Sequence, residues 1–199
     1  MARKNQKRLK LGAKALAELV KPARLEVYES LQVGGPATVA DLALRLGRPA
    51  DSLYYHIRKL LAVGVVKELD ETGSRPPRGG PGRKGAVYSI VTTRLDAKLD
   101  PDSRRSREAW TEGGASLLRL AQRNFGQALD EADGLRAEGP RRNLMLWRIK
   151  ARLTPRQLRQ VNEHIDALHE LLVTHNDDPQ GDLHAITCVM TPLEERDPR

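Results

Sequence analysis

Apolar residues recur at helical spacing through the first third of the chain. Leu16, Leu19 and Val20, followed by Ala23, Val27 and Leu31, predict helix over 15–31. Pro22 interrupts this stretch, and a proline there sits most naturally at the first turn of a helix running to Leu31. Gly34, Gly35 and Pro36 make a turn. Thr38 then suits an N-cap, with Asp41 three residues on as its capping-box-like partner. Val39, Leu42, Ala43 and Leu46 give the second helix one apolar face, and Gly47 ends it. Pro49 restarts the chain, Leu53, Ile57, Leu60 and Leu61 form the stripe of a third helix, and Gly64 closes it.

The period then changes from that of a helix to that of a strand. Residues 65–70 and 86–90 alternate, and the intervening 71–85 are rich in glycine, proline and arginine, which predicts a β-hairpin with an extended tip. Residues 91–104 read as a connector. A longer helix is expected over 106–133, with Leu118, Ala121, Phe125, Ala128, Leu129 and Ala132 on one face, and Gly134–Arg142 as a loop. Trp147, Ile149, Ala151 and Leu153 alternate with Arg148, Lys150 and Arg152, the pattern of a half-buried strand. Thr154, Pro155 and Gln157 are an N-cap, a first-turn proline and a capping-box partner. The helix they open carries Leu158, Val161, Ile165, Leu168 and Leu172. After a turn at 176–182, His184, Ile186, Cys188 and Met190 suggest a last strand, with Cys188 in its core-facing row.

The fold class expected is α+β, mainly α: an N-terminal winged helix of three helices and a hairpin wing, then a helix and a β-α-β unit. The expected division is a basic arm at 1–14, the winged helix at 15–92, the helix plus β-α-β unit at 103–192 for dimerisation or effector binding, and a loose tail at 193–199.

Composition sharpens this picture in three places. Aromatic residues are 4% of the chain, so its core must be built from Leu, Val, Ile and Ala. The net charge of +8 is unevenly placed. Residues 1–95 hold 18 Lys and Arg against 8 Asp and Glu, a net of +10, whereas 96–199 hold 16 against 18, a net of −2. A basic field confined to one half points to a polyanionic partner for that half. The lone cysteine, Cys188, excludes an intrachain disulfide framework and a Cys-x-x-Cys metal motif. No apolar run is long enough for a bilayer, and no apolar signal core follows the basic N-terminus, so a cytoplasmic protein with no membrane association is expected.

Three segments together resemble the ArsR-type transcriptional regulators. Leu19 to Leu31 (LVKPARLEVYESL) looks like their first helix, and Thr38 to Gly47 (TVADLALRLG) like their second. Ser52 to Leu60 (SLYYHIRKL), followed by Val63 to Val66 (VGVV), resembles their recognition helix and the start of the wing. The resemblance spans about 15–92. It implies a winged helix that lays its third helix in the major groove of double-stranded DNA, binds as a twofold dimer on near-palindromic sites, and most often represses. Many such proteins sense metals through cysteines near the second or third helix; this chain has none there, so that property is not implied.

On the third helix, spanning about 49–63, 100° per residue gathers Leu53, Ile57, Leu60 and Leu61 on one side. Tyr55 lies opposite, flanked by Asp51, Ser52, Arg58 and Lys59, with Tyr54 and His56 at the borders. Arg58 has the fork that reads guanine, while Tyr55 suits a thymine methyl or a phosphate, and Ser52 and Lys59 suit phosphates. Arg75, Arg78, Arg83 and Lys84 sit on a slim glycine- and proline-rich tip able to enter a minor groove or track the backbone. The DNA-binding set expected is therefore Ser52, Tyr54, Tyr55, Arg58, Lys59, Arg75, Arg78, Arg83 and Lys84. The six basic residues of the N-terminal arm add sequence-independent affinity.

No catalytic constellation or nucleotide-binding glycine loop is present, so no enzyme activity and no cofactor are expected. His164 and His169 are five residues apart, about 140° around a helix, and do not converge on a metal. The partners expected are double-stranded DNA, a second copy of the chain and an effector of the C-terminal half whose chemistry the sequence does not name. The competing reading is a non-specific architectural or RNA-associated protein built on the same fold.

Overall fold

The computed structural model describes residues 8–69, 85–131, 133–174 and 181–194. Three helices form the centre of the N-terminal half. The first of them, α2 (Pro22–Gly34), is preceded by a short helix α1 (Ala13–Leu19). Pro22 begins α2, where an amide hydrogen would have no helical acceptor. The helix buries Leu25, Val27, Tyr28 and Leu31, and Gly35, at φ 71°, turns the chain out of it. Helix α3 (Val39–Leu46) opens with a reciprocal capping box. The Asp41 amide donates to Thr38 Oγ1 at 3.2 Å, and the Asp41 carboxylate accepts from the Thr38 amide at 2.9 Å. Gly47, in the left-handed region at φ 60°, joins α3 to α4 (Ala50–Ala62). Leu42, Leu53, Ile57 and Leu60 fill the space between these helices with essentially no exposed surface.

A small sheet flanks the helices. Strands β3 (Val66–Leu69) and β4 (Val87–Ile90) pair antiparallel, with Val66 opposite Ile90 and Leu69 opposite Val87. Strand β2 (Ala37–Thr38), just ahead of α3, adds to the other edge of β4, giving the order β2-β4-β3. Tyr28 ties helix to sheet: its hydroxyl donates to the carbonyl of Thr92 at 2.7 Å, and burial raises its pKa. Three helices and a hairpin in this order are a winged helix. The hairpin tip lies outside the described residues.

Residues 9–14, expected within a basic arm at 1–14, carry a strand and the start of a helix. Strand β1 (Leu9–Leu11) runs parallel to β5 (Leu95–Ala97), Leu9 opposite Leu95, and α1 begins at Ala13. Leu11 is buried in the common core. The alternation of Leu9 and Leu11 inside a basic run is too short to announce a strand; its partner makes it one.

Helix α5 (Arg104–Asp130) starts at Ser103, whose side chain accepts from the Ser106 amide at 3.3 Å. Its buried row is Ser106, Ala109, Gly113, Ser116 and Leu120, packed on α1. A Cβ at Gly113 would sit 3.2 Å from Val20 Cγ1, so the two helices meet at close range through small side chains. This is not the face that hydrophobicity predicted. Leu118 and Leu129 are exposed, Ala121, Phe125 and Ala128 half-buried, and Ala132 is not among the described residues.

Helix α6 (Pro155–Thr174) has the predicted start, with Gln157 Oε1 accepting from the Thr154 amide and hydroxyl, both at 2.9 Å. Val173 is its one buried residue, and Glu170 ties it to the N-terminal half by receiving both amino groups of Arg94 at 2.6 Å. The flanking segments 147–153 and 184–190, expected as strands of a β-α-β unit, carry no ladder here. Alternation equips a segment for a sheet, but a strand needs a partner, and none of the described strands pairs with either segment. Cys188, expected in a core-facing row, is exposed.

Candidate nucleic-acid interface

The burial of α4 divides it lengthwise. Leu53, Ile57 and Leu60 hold it to the core, Tyr54 and His56 are half-buried at the borders, and Ser52, Tyr55, Arg58 and Lys59 lie exposed on the outer face. The capping box of α3 and the left-handed Gly47 fix the angle at which this face is presented. Among the predicted contact residues, the five on α4 thus share one helix. The other four, Arg75, Arg78, Arg83 and Lys84, lie outside the described residues. Lys67 on β3 adds an exposed cation at the base of the hairpin.

The outer face is partly organised in advance. The Tyr55 ring is 51% exposed and lies between two cations, with Lys59 Nζ 5.5 Å and Arg24 Cζ 5.8 Å from its centroid. His56 meets it edge-on at 5.4 Å. Ser52 Oγ donates to the carbonyl of Pro49 at 2.8 Å, and Arg58 Nε to that of Tyr54 at 3.3 Å. Both are local bonds on an exposed surface, which a phosphate or base edge can replace at small cost.

Arg24 is a residue that hydrophobic patterning missed. It stands on the buried face of α2, 3% exposed, paired with the Glu18 carboxylate and donating to the Glu18 carbonyl at 3.0 Å. The signal for it was present: a cation four residues before Tyr28 and seven before Leu31 falls on the core-facing stripe. Its Nε and the Nδ1 of His56 are buried and have no hydrogen-bond partner among the described residues. Burial lowers the pKa of His56, and the nearby Arg24 and Arg48 lower it further. His56 is therefore held neutral behind the exposed face.

Not every cation nearby is free for an anion. Arg48, in the turn between α3 and α4, donates to Glu26 at 2.5 Å, and Arg123 of α5 pairs with the other oxygen of the same carboxylate. The open positive charge of α4 is that of Arg58 and Lys59.

A comparison with known families identifies the central part of this region. Residues 19–68 match the helix-turn-helix domain family. The match runs from the end of α1 to β3 and so includes the whole of α2, α3 and α4. A helix-turn-helix domain implies DNA binding, and proteins carrying one are typically regulators rather than enzymes. No curated protein matches the chain. Among solved structures, one similar chain is described as the crystal structure of RV1404 from Mycobacterium tuberculosis, at 12% identity and a TM-score of 0.29, over 79% of this chain and 81% of that one. Among the described residues, no helix is long and apolar enough to cross a membrane, and no three metal-ligating side chains gather in one place.

Proposed function

We propose that this protein is a sequence-specific, double-stranded DNA-binding transcriptional regulator of the ArsR-like type, a cytoplasmic repressor that reads the major groove with α4. The observation that carries this is the exposed row Ser52, Tyr55, Arg58 and Lys59 on the outer side of the third helix of a helix-turn-helix domain. In this reading Arg58 leaves the Tyr54 carbonyl and takes the O6 and N7 of a guanine, a bidentate pair worth about 1–3 kcal/mol of discrimination. Tyr55, steadied by its two cations, contacts a thymine methyl or a phosphate, with Tyr54 beside it. Ser52 and Lys59 hold phosphates. The basic hairpin tip, through Arg75, Arg78, Arg83 and Lys84, tracks the backbone or the minor groove. The N-terminal excess of positive charge supports the same partner. The protein acts as a homodimer on a near-palindromic site, since one winged helix covers a short sequence and twofold symmetry doubles it.

The test is selection of bound duplexes from a random library at about 0.15 M salt with the natural protein and Arg58→Ala in parallel. A near-palindromic motif that loses definition at one position per half in the variant is the expected result. Uniform, salt-sensitive recovery with no motif would replace this reading by that of an architectural binder.

A further inference from the structure

Helix α6 presents an apolar row that its own chain leaves uncovered. Leu158, Val161, Ile165, Leu168 and Leu172 are spaced 3, 4, 3 and 4, the repeat of a coiled-coil seam over two heptads. Leu158, Leu168 and Leu172 are exposed, and Val161 and Ile165 only half-buried. The helix is not loose: Glu170, off the seam, is held by Arg94, and the seam stays exposed. Its two flanking segments repeat the situation, with Trp147 67% and Ile149 73% exposed before it and Leu183, Ile186 and Val189 exposed after it.

Two quantities indicate what covers this face. The chain exposes 15701 Å². A compact globular protein of this mass exposes about 9,400 Å². Even if every residue outside the described set counted as fully extended chain, the total would reach only about 13,700 Å², which leaves about 2,000 Å² unexplained. Buried on each of two copies, that is about 4,000 Å² in all, within the range of obligate homodimers. The chemistry of the seam agrees. All five charged residues of α6, Arg156, Arg159, Glu163, Asp166 and Glu170, fall at outer positions of the heptad. The positions bordering the seam are Gln157, Asn162, His164, His169 and Leu171. A twofold interface brings a surface against itself, so borders without like charges are what a second copy requires.

We infer that the seam of α6, with segments 145–153 and 183–190, is the surface through which two copies of this chain associate. This rests on the dimeric reading above and names its interface. The seam of one copy packs on that of the other, and the alternating segments obtain across the twofold axis the neighbours they lack within one chain.

The test is sedimentation of the full chain without DNA, across roughly a hundredfold range of concentration. The natural protein should sediment at twice its 22.2 kDa mass. Ile165→Glu/Leu168→Glu should sediment at the single mass while keeping the thermal transition of the winged helix. A monomeric natural protein, or a variant that stays dimeric, would overturn the inference. Should the double variant misfold, a bismaleimide applied to Cys188→Ser/Ile165→Cys decides: a covalent dimer supports the seam, and its absence overturns it, with Cys188→Ser/Leu44→Cys, at a more exposed position away from the seam, as a control that stays monomeric. Because no DNA is present, a dimer that selects no motif would sink the regulator reading and leave this interface standing.

Discussion

Leu53 in α4 and Leu172 in α6 occupy equivalent places, each on the apolar stripe of an amphipathic helix, yet Leu53 has no exposed surface and Leu172 is 40% exposed. The same contrast runs through the two regions to which they belong. From β1 to the middle of α5, the apolar stripes find partners within the chain, with a few single residues such as Leu44 and Trp110 left outside: α1 on α5, α2 on α3 and α4, and β4 between β2 and β3. From the end of α5 onward most stay exposed, Trp147, Ile149, Leu158, Leu168 and Leu172 among them, and Val173 is the one described hydrophobic residue that is buried. Amphipathic patterning states that a face must be covered; which molecule covers it depends on the reach of the chain. The N-terminal half satisfies its pattern alone, and the C-terminal half offers its pattern outward.

The sharpest way to break the contrast is to make one substitution in both regions. Leu53→Ala should cost about 2–5 kcal/mol of unfolding free energy at every protein concentration, because it opens a cavity among Leu42, Ile57 and Leu60. Leu172→Ala should leave that transition nearly unchanged and lower only the concentration-dependent stability. Denaturant titrations at two concentrations distinguish them. Gly113→Leu probes the boundary: a branched side chain cannot fit against Val20 at the α1–α5 contact, and a loss of about 1–3 kcal/mol is expected. Thr38→Ala removes one half of the α3 capping box and should cost about 1 kcal/mol, measured by thermal unfolding, and Thr38→Ser should restore most of it.

The smallest effect expected is one of pH. His56 has its pKa lowered from 6.5, so as the solution acidifies the unfolded chain takes the proton before the folded one does. Its contribution is complete above 6.5 and declines as pH falls through the folded value. Glu170 behaves in the same sense further into acid: the hydrogen bond from Arg94 lowers its pKa from 4.5, so the hold on α6 persists above that value and weakens below it. A series of melting temperatures from pH 8 to pH 4 should show two declines. His56→Gln should remove the first, and Glu170→Gln the second.

Much of the winged helix was legible in the sequence because its burial follows hydrophobicity. Leu53, Ile57 and Leu60 announce the inner face of α4, and their absence elsewhere on the helix announces the outer one. The capping boxes at Thr38 and Thr154 were legible for a similar reason, since their partners are local. What escaped depends on contacts that hydrophobicity does not encode. The buried row of α5 is made of serine, alanine and glycine, residues chosen for closeness rather than apolarity. Strand β1 exists because β5 lies alongside it, each residue of β1 facing one 86 positions later in the chain. Arg24 belongs to the candidate site only because α2 crosses behind Tyr55. In the other direction, the alternation at 147–153 and 184–190 predicts strands, and neither segment pairs with any strand among the described residues.

Helix α5 also gives the molecule a measure of distance. Its 27 residues extend about 40 Å. The near end is clamped against α1, and Arg123 reaches back to Glu26, beside which Arg48 holds the turn leading into α4. The far end carries the chain on toward α6. Because its buried row runs from Ser106 to Leu120 and Arg123 is paired as well, the rod is held along most of its length, and only its last two turns, about 10 Å, project beyond the clamp. In the dimer proposed above, the two reading heads would be spaced by a helix that cannot tilt without breaking its contact with the winged helix it follows.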